Sequence, residues 1–169
     1  MRMQDLSSRF VKGALSHDHD TVDLLLAEVL GAVAADELAR AAGTLRELVS
    51  HVARHMDFEE RILFPIFESA TRQDAGQGPT ALLRDEHDRI RSALAEMTHA
   101  LAEASREPFA RALGELEALL PGHNVREERV LYRVVDRVLG PLGALVLAAR
   151  LGQGSLAEQL GQGWLTKPA

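Results

Sequence analysis

Residues 45–66 decide the fold: Leu45-Arg46-Glu47-Leu48-Val49-Ser50-His51-Val52-Ala53-Arg54-His55-Met56-Asp57-Phe58-Glu59-Glu60-Arg61-Ile62-Leu63-Phe64-Pro65-Ile66. Within them Leu45, Leu48, Val52, His55, Glu59, Ile62 and Ile66 step by threes and fours, the spacing that keeps one side of an α-helix turned toward a core. Moved along the chain by 68 positions, the stripe reads Leu113, Leu116, Leu120, His123, Glu127, Val130 and Val134 without a gap. The same offset carries Leu15, His19, Val22, Leu26, Val29 and Val33 onto Leu83, His87, Ile90, Leu94, Met97 and Leu101. The chain therefore reads as a duplicated helical hairpin with a pseudo-twofold axis.

Around these stripes the sequence predicts an all-α chain. Turn signals fall at Ala34-Ala35-Asp36-Glu37, with Asp36 as a helix N-cap, at Gln73–Pro79, and at Ala104–Pro108, with Ser105 as a cap. Four helices follow, roughly 5–34, 36–72, 79–104 and 106–138, and the short links between them make neighbours antiparallel. The expected architecture is an up-down-up-down four-helix bundle over residues 1–140. Gly140-Pro141 breaks it, and residues 141–169 form a short extra C-terminal helix and tail that pack on the bundle or on another subunit. A length of 169 residues suits one domain. With 46% hydrophobic and 26% charged residues, the chain has apolar surface for a core and no compositional case for disorder.

Composition also excludes functions. A net charge of −6 argues against nucleic acid or an anionic membrane as partner. Without cysteine there are no disulfides, thiolate metal sites, iron–sulfur clusters or cysteine switches. The opening Met1–Asp5 has no long apolar run of a secretory leader, and Leu142–Leu151 is about half the ~18 residues of a membrane span. The expected location is cytoplasmic.

Six polar residues interrupt the inward stripes: His19, His55, Glu59, His87, His123 and Glu127. A carboxylate on a core stripe is costly unless paired or bound to a metal. Spacings of 36, 32 and 36 residues separate the successive histidines, with midpoints at 37, 71 and 105, each at or beside a predicted turn. Residues equidistant from a turn share a level in an antiparallel bundle, so the four histidines meet in one layer. Glu59 and Glu127 stand one turn on from their histidines. Six donors on one point suggest two metal ions, since a structural zinc site needs only four. Imidazole with carboxylate suits iron, with zinc or manganese as the other fitting ions, and a hydrogen-bonded layer without metal as the plain alternative. Two iron ions would share Glu59 and Glu127 as bridges and take two histidines each. An oxo or hydroxo bridge would make five ligands per ion and leave one position for a small exogenous ligand.

The segment His55-Met56-Asp57-Phe58-Glu59-Glu60-Arg61-Ile62-Leu63-Phe64-Pro65 resembles the His-x-x-x-Glu-Glu-x-x-Leu-Phe-Pro segment of the hemerythrin-like (HHE) domain family. His123-Asn124-Val125-Arg126-Glu127-Glu128 resembles its second copy, and Asp18-His19-Asp20 and Glu86-His87-Asp88 its Glu/Asp-His-Asp helix signatures. The resemblance spans about residues 5–138. It implies a non-heme di-iron centre with bridging oxygen that binds oxygen, senses oxygen or iron, or reacts with peroxide or nitric oxide. Oxygen-carrying members place a second histidine one turn from the third-helix ligand. Here Leu83 and Arg91 hold those positions, so the resemblance does not imply an oxygen carrier of that kind. His51, four residues before His55, is the remaining candidate for a fifth histidine ligand or a half-exposed neighbour of the site.

Other residues have plainer readings. His17 and His99 point outward, and Glu60 and Glu128 lie off the stripe, paired with arginines or supporting the ligands. Pro65 and Pro121 interrupt predicted helices, and Pro121-Gly122 either kinks its helix harmlessly or widens the bundle beside His123. Leu142–Leu151 and Trp164 cover the bundle or form a subunit contact, and Tyr132 is close enough to the fourth-helix ligands for a redox role. The expected function is binding of, or reaction with, O₂, peroxide or NO at the open iron position, with peroxidase- or catalase-like activity open. The alternative is an iron or oxygen sensor whose folding follows metal occupancy and whose state a protein partner reads. A homo-oligomeric structural bundle without metal is the third reading.

Overall fold

In the computed structural model, which describes residues 10–151, the helical stripes become six helices arranged as four rods. The first rod is α1 (Phe10–Ala34). The second joins α2 (Leu38–Phe58) to α3 (Phe64–Thr71) through one π-helical turn, Glu59–Leu63. The third is α4 (Gly78–Ala102). The fourth joins α5 (Arg106–Arg126) to α6 (Tyr132–Leu151) through a second π-turn, Glu127–Leu131. Each rod packs on the next in the chain and the first packs on the fourth, which closes an all-α four-helix bundle. No described helix is long and apolar enough to cross a membrane.

The turns that reverse the chain carry the duplication too. Asp36 (φ 60°) and Ala104 (φ 51°), 68 positions apart, both adopt the left-handed conformation. The following amides reach back five residues, Glu37 N–H to the Ala32 carbonyl (2.9 Å) and Ser105 N–H to the Ala100 carbonyl (2.8 Å). These are Schellman closures, which satisfy the last carbonyls of a helix. Asp36 is therefore not the N-cap of α2. It ends α1, a position an aspartate tolerates because its short side chain fits the left-handed region. Glu37 takes the N-cap place, and neither it nor Ser105 makes a side-chain cap bond. Arg72 (φ 56°) ends α3 in the same way, and Arg84 ties the following loop down through the Ala75 carbonyl (3.1 Å) and Glu68 (2.7 Å).

The π-turns shift the stripes. Phe64 N–H and Tyr132 N–H bond five residues back to the carbonyls of Glu59 and Glu127, which inserts one residue into each rod. Beyond the insertion the inward positions move by one. Leu63 and Phe67 are buried in place of Ile62 and Ile66, and Leu131 and Val135 in place of Val130 and Val134. Val130 is 39% exposed, so its predicted core position is corrected by the extra residue. Pro65 sits in the first turn of α3, directly after the π-turn, and Pro121 lies inside α5 without ending it.

The core falls into two apolar clusters separated by a polar layer. One cluster, around Leu45, Leu48, Leu94, Met97 and Leu116, fills the end near the α1–α2 turn. The other, around Leu15, Leu63, Phe64, Phe67, Leu83 and Tyr132, fills the opposite end, and Leu147 of α6 packs against it. Gly140 (φ 63°, ψ −179°) breaks α6 where the sequence places the break. Asp136 is buried at this end, where Val11 N–H donates to its Oδ1 (3.2 Å) and so caps the start of α1 from another rod. Trp164 and the tail past Leu151, like the expected start of the first helix at residue 5, lie outside the described residues.

A left-handed alanine is strained by about 1–2 kcal/mol, which glycine relieves at the expense of some unfolded-state entropy. Ala104→Gly should therefore stabilise the protein by up to about 1 kcal/mol, read as a raised urea midpoint. A lowered midpoint would contradict the turn geometry.

Candidate metal centre

All six stripe residues arrive in the polar layer, and all six are buried: His19, His55, Glu59, His87, His123 and Glu127. Each helical rod supplies one histidine, and the second and fourth supply a glutamate one turn further on, as the π-turn begins. The four Nε2 atoms face the two carboxylates. Glu127 Oε1 lies 2.9 Å from His123 Nε2 and 3.4 Å from His87 Nε2, while its Oε2 lies 3.2 Å from His19 Nε2 and 3.9 Å from His55 Nε2. Glu59 Oε2 lies 3.4 Å from His87 Nε2 and 3.5 Å from His55 Nε2. Donors about 2.0–2.2 Å from one ion stand about 3 Å apart at right angles and about 3.4 Å apart at tetrahedral angles, and all of these separations but His55–Glu127 fall near that range.

Two donor groups result, Glu59–His87–His123–Glu127 and His19–His55–Glu127, with Glu127 common to both. Two atoms in them test whether a metal fits. His55 Nε2 and Glu59 Oε2 are buried without a hydrogen-bond partner, and leaving a buried polar atom unsatisfied costs about 1–3 kcal/mol. A metal-free hydrogen-bonded layer would have paired them, whereas an ion uses bare lone pairs of this kind. The donor set fits a metal cation.

The opposite ring nitrogens reveal what the sequence stripes did not. Nδ1 of His55 faces Asp18 (3.3 Å), that of His123 faces Glu86 (3.1 Å), that of His87 faces Glu60 (2.9 Å) and that of His19 faces Glu128 (3.5 Å). With an ion on Nε2, Nδ1 would carry the proton, and in His55, His87 and His123 it is placed to donate outward and fix ring tautomer and orientation, whereas His19 Nδ1 makes no hydrogen bond. Asp18 and Glu86 are 68 positions apart, as are Glu60 and Glu128, so the supporting carboxylates belong to the repeat. The signal was available: Asp18 and Glu86 immediately precede equivalent histidines.

A further layer of cations meets these carboxylates. Arg126 bonds Glu86 through both Nη2 and Nε, Arg91 Nη2 lies 2.5 Å from Glu60, and Lys12 Nζ lies 3.3 Å from Glu128. His51 has the corresponding place behind Asp18, its Nε2 3.7 Å from Asp18 Oδ1 and outside both donor groups. Burial pushes the His51 imidazole down, more than Asp18 raises it. His17 and His99 are exposed. Tyr132, by contrast, is fully buried with its hydroxyl inside the layer, 2.7 Å from Glu59 Oε1 and 3.1 Å from Glu127 Oε2.

Charge in the layer is balanced by protons when no ion is bound. Burial by itself would push the His87 imidazole down, but hydrogen bonds to Glu127, Glu59 and Glu60 overcome it and raise it to about 10. His55 is likewise raised against burial, chiefly by Glu59 and Asp18. Burial would raise Glu127, yet the four surrounding imidazoles hold it well below the carboxylate range.

A four-helix frame holding a buried histidine–glutamate cluster that fits a metal ion defines the class: an all-α cation-binding bundle. The chain belongs to the hemerythrin HHE cation-binding domain family, whose model matches residues 13–135. Comparison with curated proteins and with solved structures gave no match.

Two outcomes follow. His87 holds its proton below about pH 10, so its contribution to metal-free stability is complete below pH 6.5 and is lost as pH rises toward 10. A metal needs that nitrogen bare, so loading at about pH 7.5 should release at least one proton per chain, and affinity should climb with pH. Calorimetry in buffers of different ionisation enthalpy reads this directly, and zero release would contradict it. Glu86→Ala removes the acceptor of His123 Nδ1–H and should weaken metal binding about 10–100-fold while the metal content at saturation stays that of the wild type. Unchanged affinity would show that the outer carboxylate does not orient the ring.

Proposed function

We propose that this protein is a non-heme di-iron protein that binds or reacts with a small ligand, O₂, peroxide or NO, at an open coordination position. His19, His55, His87 and His123 would hold the ions, with Glu127 spanning them and Glu59 completing the set. Imidazole and carboxylate without thiolate favour iron among the ions that fit, and six residues in two groups that share Glu127 exceed what one structural zinc site needs. Bound there, iron would supply a redox couple and a Lewis acid for the small ligand.

The observation that carries the reading is a cavity against the histidines. It has a volume of about 20 Å³ and is bounded by His19, His55 and His123 on one side and by Val22, Val52, Ile90 and Leu120 on the other. A single water needs about 10–15 Å³, so the space admits a water-sized or diatomic molecule and little more. Met56 and Asn124, equivalent in the repeat, also line it. Across the layer, Tyr132 holds its proton: burial, then the charges of Glu59 and Glu127, push the phenol well above its ordinary value. A neutral O–H donor thus faces the carboxylates through the working pH range.

A sensor reading rests on a different observation, that all four rods contribute ligands. Loading then couples to rod packing, and a partner could read the change. Iron-loaded and metal-free melts distinguish the two, since equal melting temperatures would sink the sensor. For the leading reading, iron-loaded protein should change its visible spectrum on addition of O₂, H₂O₂ or NO. Leu120→Phe, whose added volume is of the order of the cavity, should keep the iron and slow that response about tenfold or more, the equivalent of ~1.4 kcal/mol. A wild-type protein that loads iron and responds to none of the three would overturn the proposal.

A further inference from the structure

The repeat is broken at one atom in the middle of the site. Tyr132 and Phe64 are equivalent, and their rings pack alike: Phe64 lies over His87 with centroids 5.5 Å apart at 23°, and Tyr132 over His19 at 6.1 Å and 26°. Both are fully buried. They differ by the Tyr132 hydroxyl, whose shortest contact is Glu59 Oε1 at 2.7 Å. A phenol has one proton to give, and it goes to that oxygen. Glu59 is left to offer the single oxygen Oε2, 3.4 Å from His87 and 3.5 Å from His55, whereas Glu127 points one oxygen at each donor group. The His87–His123 group has both carboxylates among its mutually close donors, and the His19–His55 group has Glu127 alone.

The outer contacts rank the two groups the same way by a separate route. Nδ1 to carboxylate is 2.9 Å for His87 and 3.1 Å for His123, but 3.3 Å for His55 and 3.5 Å for His19. Among the four supporting carboxylates only Glu86, behind His123, is almost fully buried, and it is clamped by Arg126, whereas Glu60, Asp18 and Glu128 are each about 30% exposed. The shorter outer contacts and the one buried clamp both fall in the His87–His123 group.

We propose that the two ion positions are unequal and fill in order, the His87–His123 position first and the His19–His55 position second, and that Tyr132 sets the difference by holding Glu59 Oε1. The inference rests on the two-ion reading of the centre. A second divalent ion enters a site that already carries the charge of the first, and in a buried layer one further carboxylate weighs heavily on its affinity. Tyr132 is a positioning residue here, acting on the second ion through Glu59. Phenylalanine at 132 would reproduce the side chain the chain already has at 64, so the variant is compatible with the packing.

The test is titration of the metal-free full chain with Co²⁺, followed by visible absorption and calorimetry. The expected result is two steps with dissociation constants at least tenfold apart. His19→Ala should remove the weaker step and keep the tighter, and His123→Ala should remove the tighter. Tyr132→Phe frees Glu59 Oε1, so its second step should tighten and the gap narrow, a gain that general damage to packing would not produce. Equal steps in the wild type would overturn the proposal, as would a Tyr132→Phe chain that binds two ions with an unchanged gap or with both steps weakened. A wild-type chain that takes up no Co²⁺, or only one ion, would overturn the two-ion reading itself.

Discussion

Two carboxylates without exposed surface, Glu59 and Glu127, lie halfway along a helical bundle, and the rest of the molecule is arranged around their charge. Burying an ionised carboxylate costs several kcal/mol even after relaxation, and a domain of this size has only about 5–15 kcal/mol of net stability. Two uncompensated charges would consume most of it. The answer is a series of layers of alternating sign: imidazoles around the pair, carboxylates behind the imidazoles, then the cations Arg126, Arg91 and Lys12 behind three of those, with the imidazole of His51 behind the fourth. Apolar clusters close both ends, which strengthens every interaction inside by keeping water out.

The layers obey the duplication to different degrees. Histidines, glutamates and outer carboxylates all repeat at 68 positions, because ring geometry ties each to the next: a bare Nε2 requires a protonated Nδ1, which requires an acceptor. The outermost residues do not repeat. Arg126 corresponds to Phe58, Arg91 to Asp23, Lys12 to Thr80 and His51 to Leu119. Neutralising a half-exposed carboxylate needs only a positive charge within reach, from any direction, so the geometry that binds the inner layers to the repeat does not bind the outer one.

This division explains what was legible in the sequence. The rods and the six inner donors could be read because a buried polar residue on an apolar stripe is conspicuous, and because spacing from the turns fixes depth. Asp18 and Glu86 were less visible, since acidic residues on a half-exposed helix face look like ordinary solvated charges until the facing rod is placed. The one-residue shift after Glu59 and Glu127 could not be read. Residues 62–64 and 66–67 are all apolar, so both registers offer a plausible inward stripe. Nor does Pro65 mark the π-turn, because Arg133 stands at the equivalent place in the fourth rod and the turn there is the same. Asp36 was misread for a similar reason: aspartate suits both a helix start and a left-handed turn, and only the backbone decides.

The π-turns also give the centre its two unlike faces. One inserted residue rotates everything beyond it by about 100°, and this is what carries Phe64 and Tyr132 onto the rings of His87 and His19. In an unbroken α-helix Ile62 and Val130 would take the inward place, and no hydroxyl would reach the carboxylates. The face toward the α1–α2 turn has no such insertion: Val22, Val52, Ile90 and Leu120 stay in register one turn from the histidines and leave the small cavity between them. Aromatic rings therefore close the layer on the side of the π-turns, and short aliphatic side chains leave room on the other. Which side of the layer is closed and which is open is thus set by where the helices stop being α-helical, immediately after each buried glutamate.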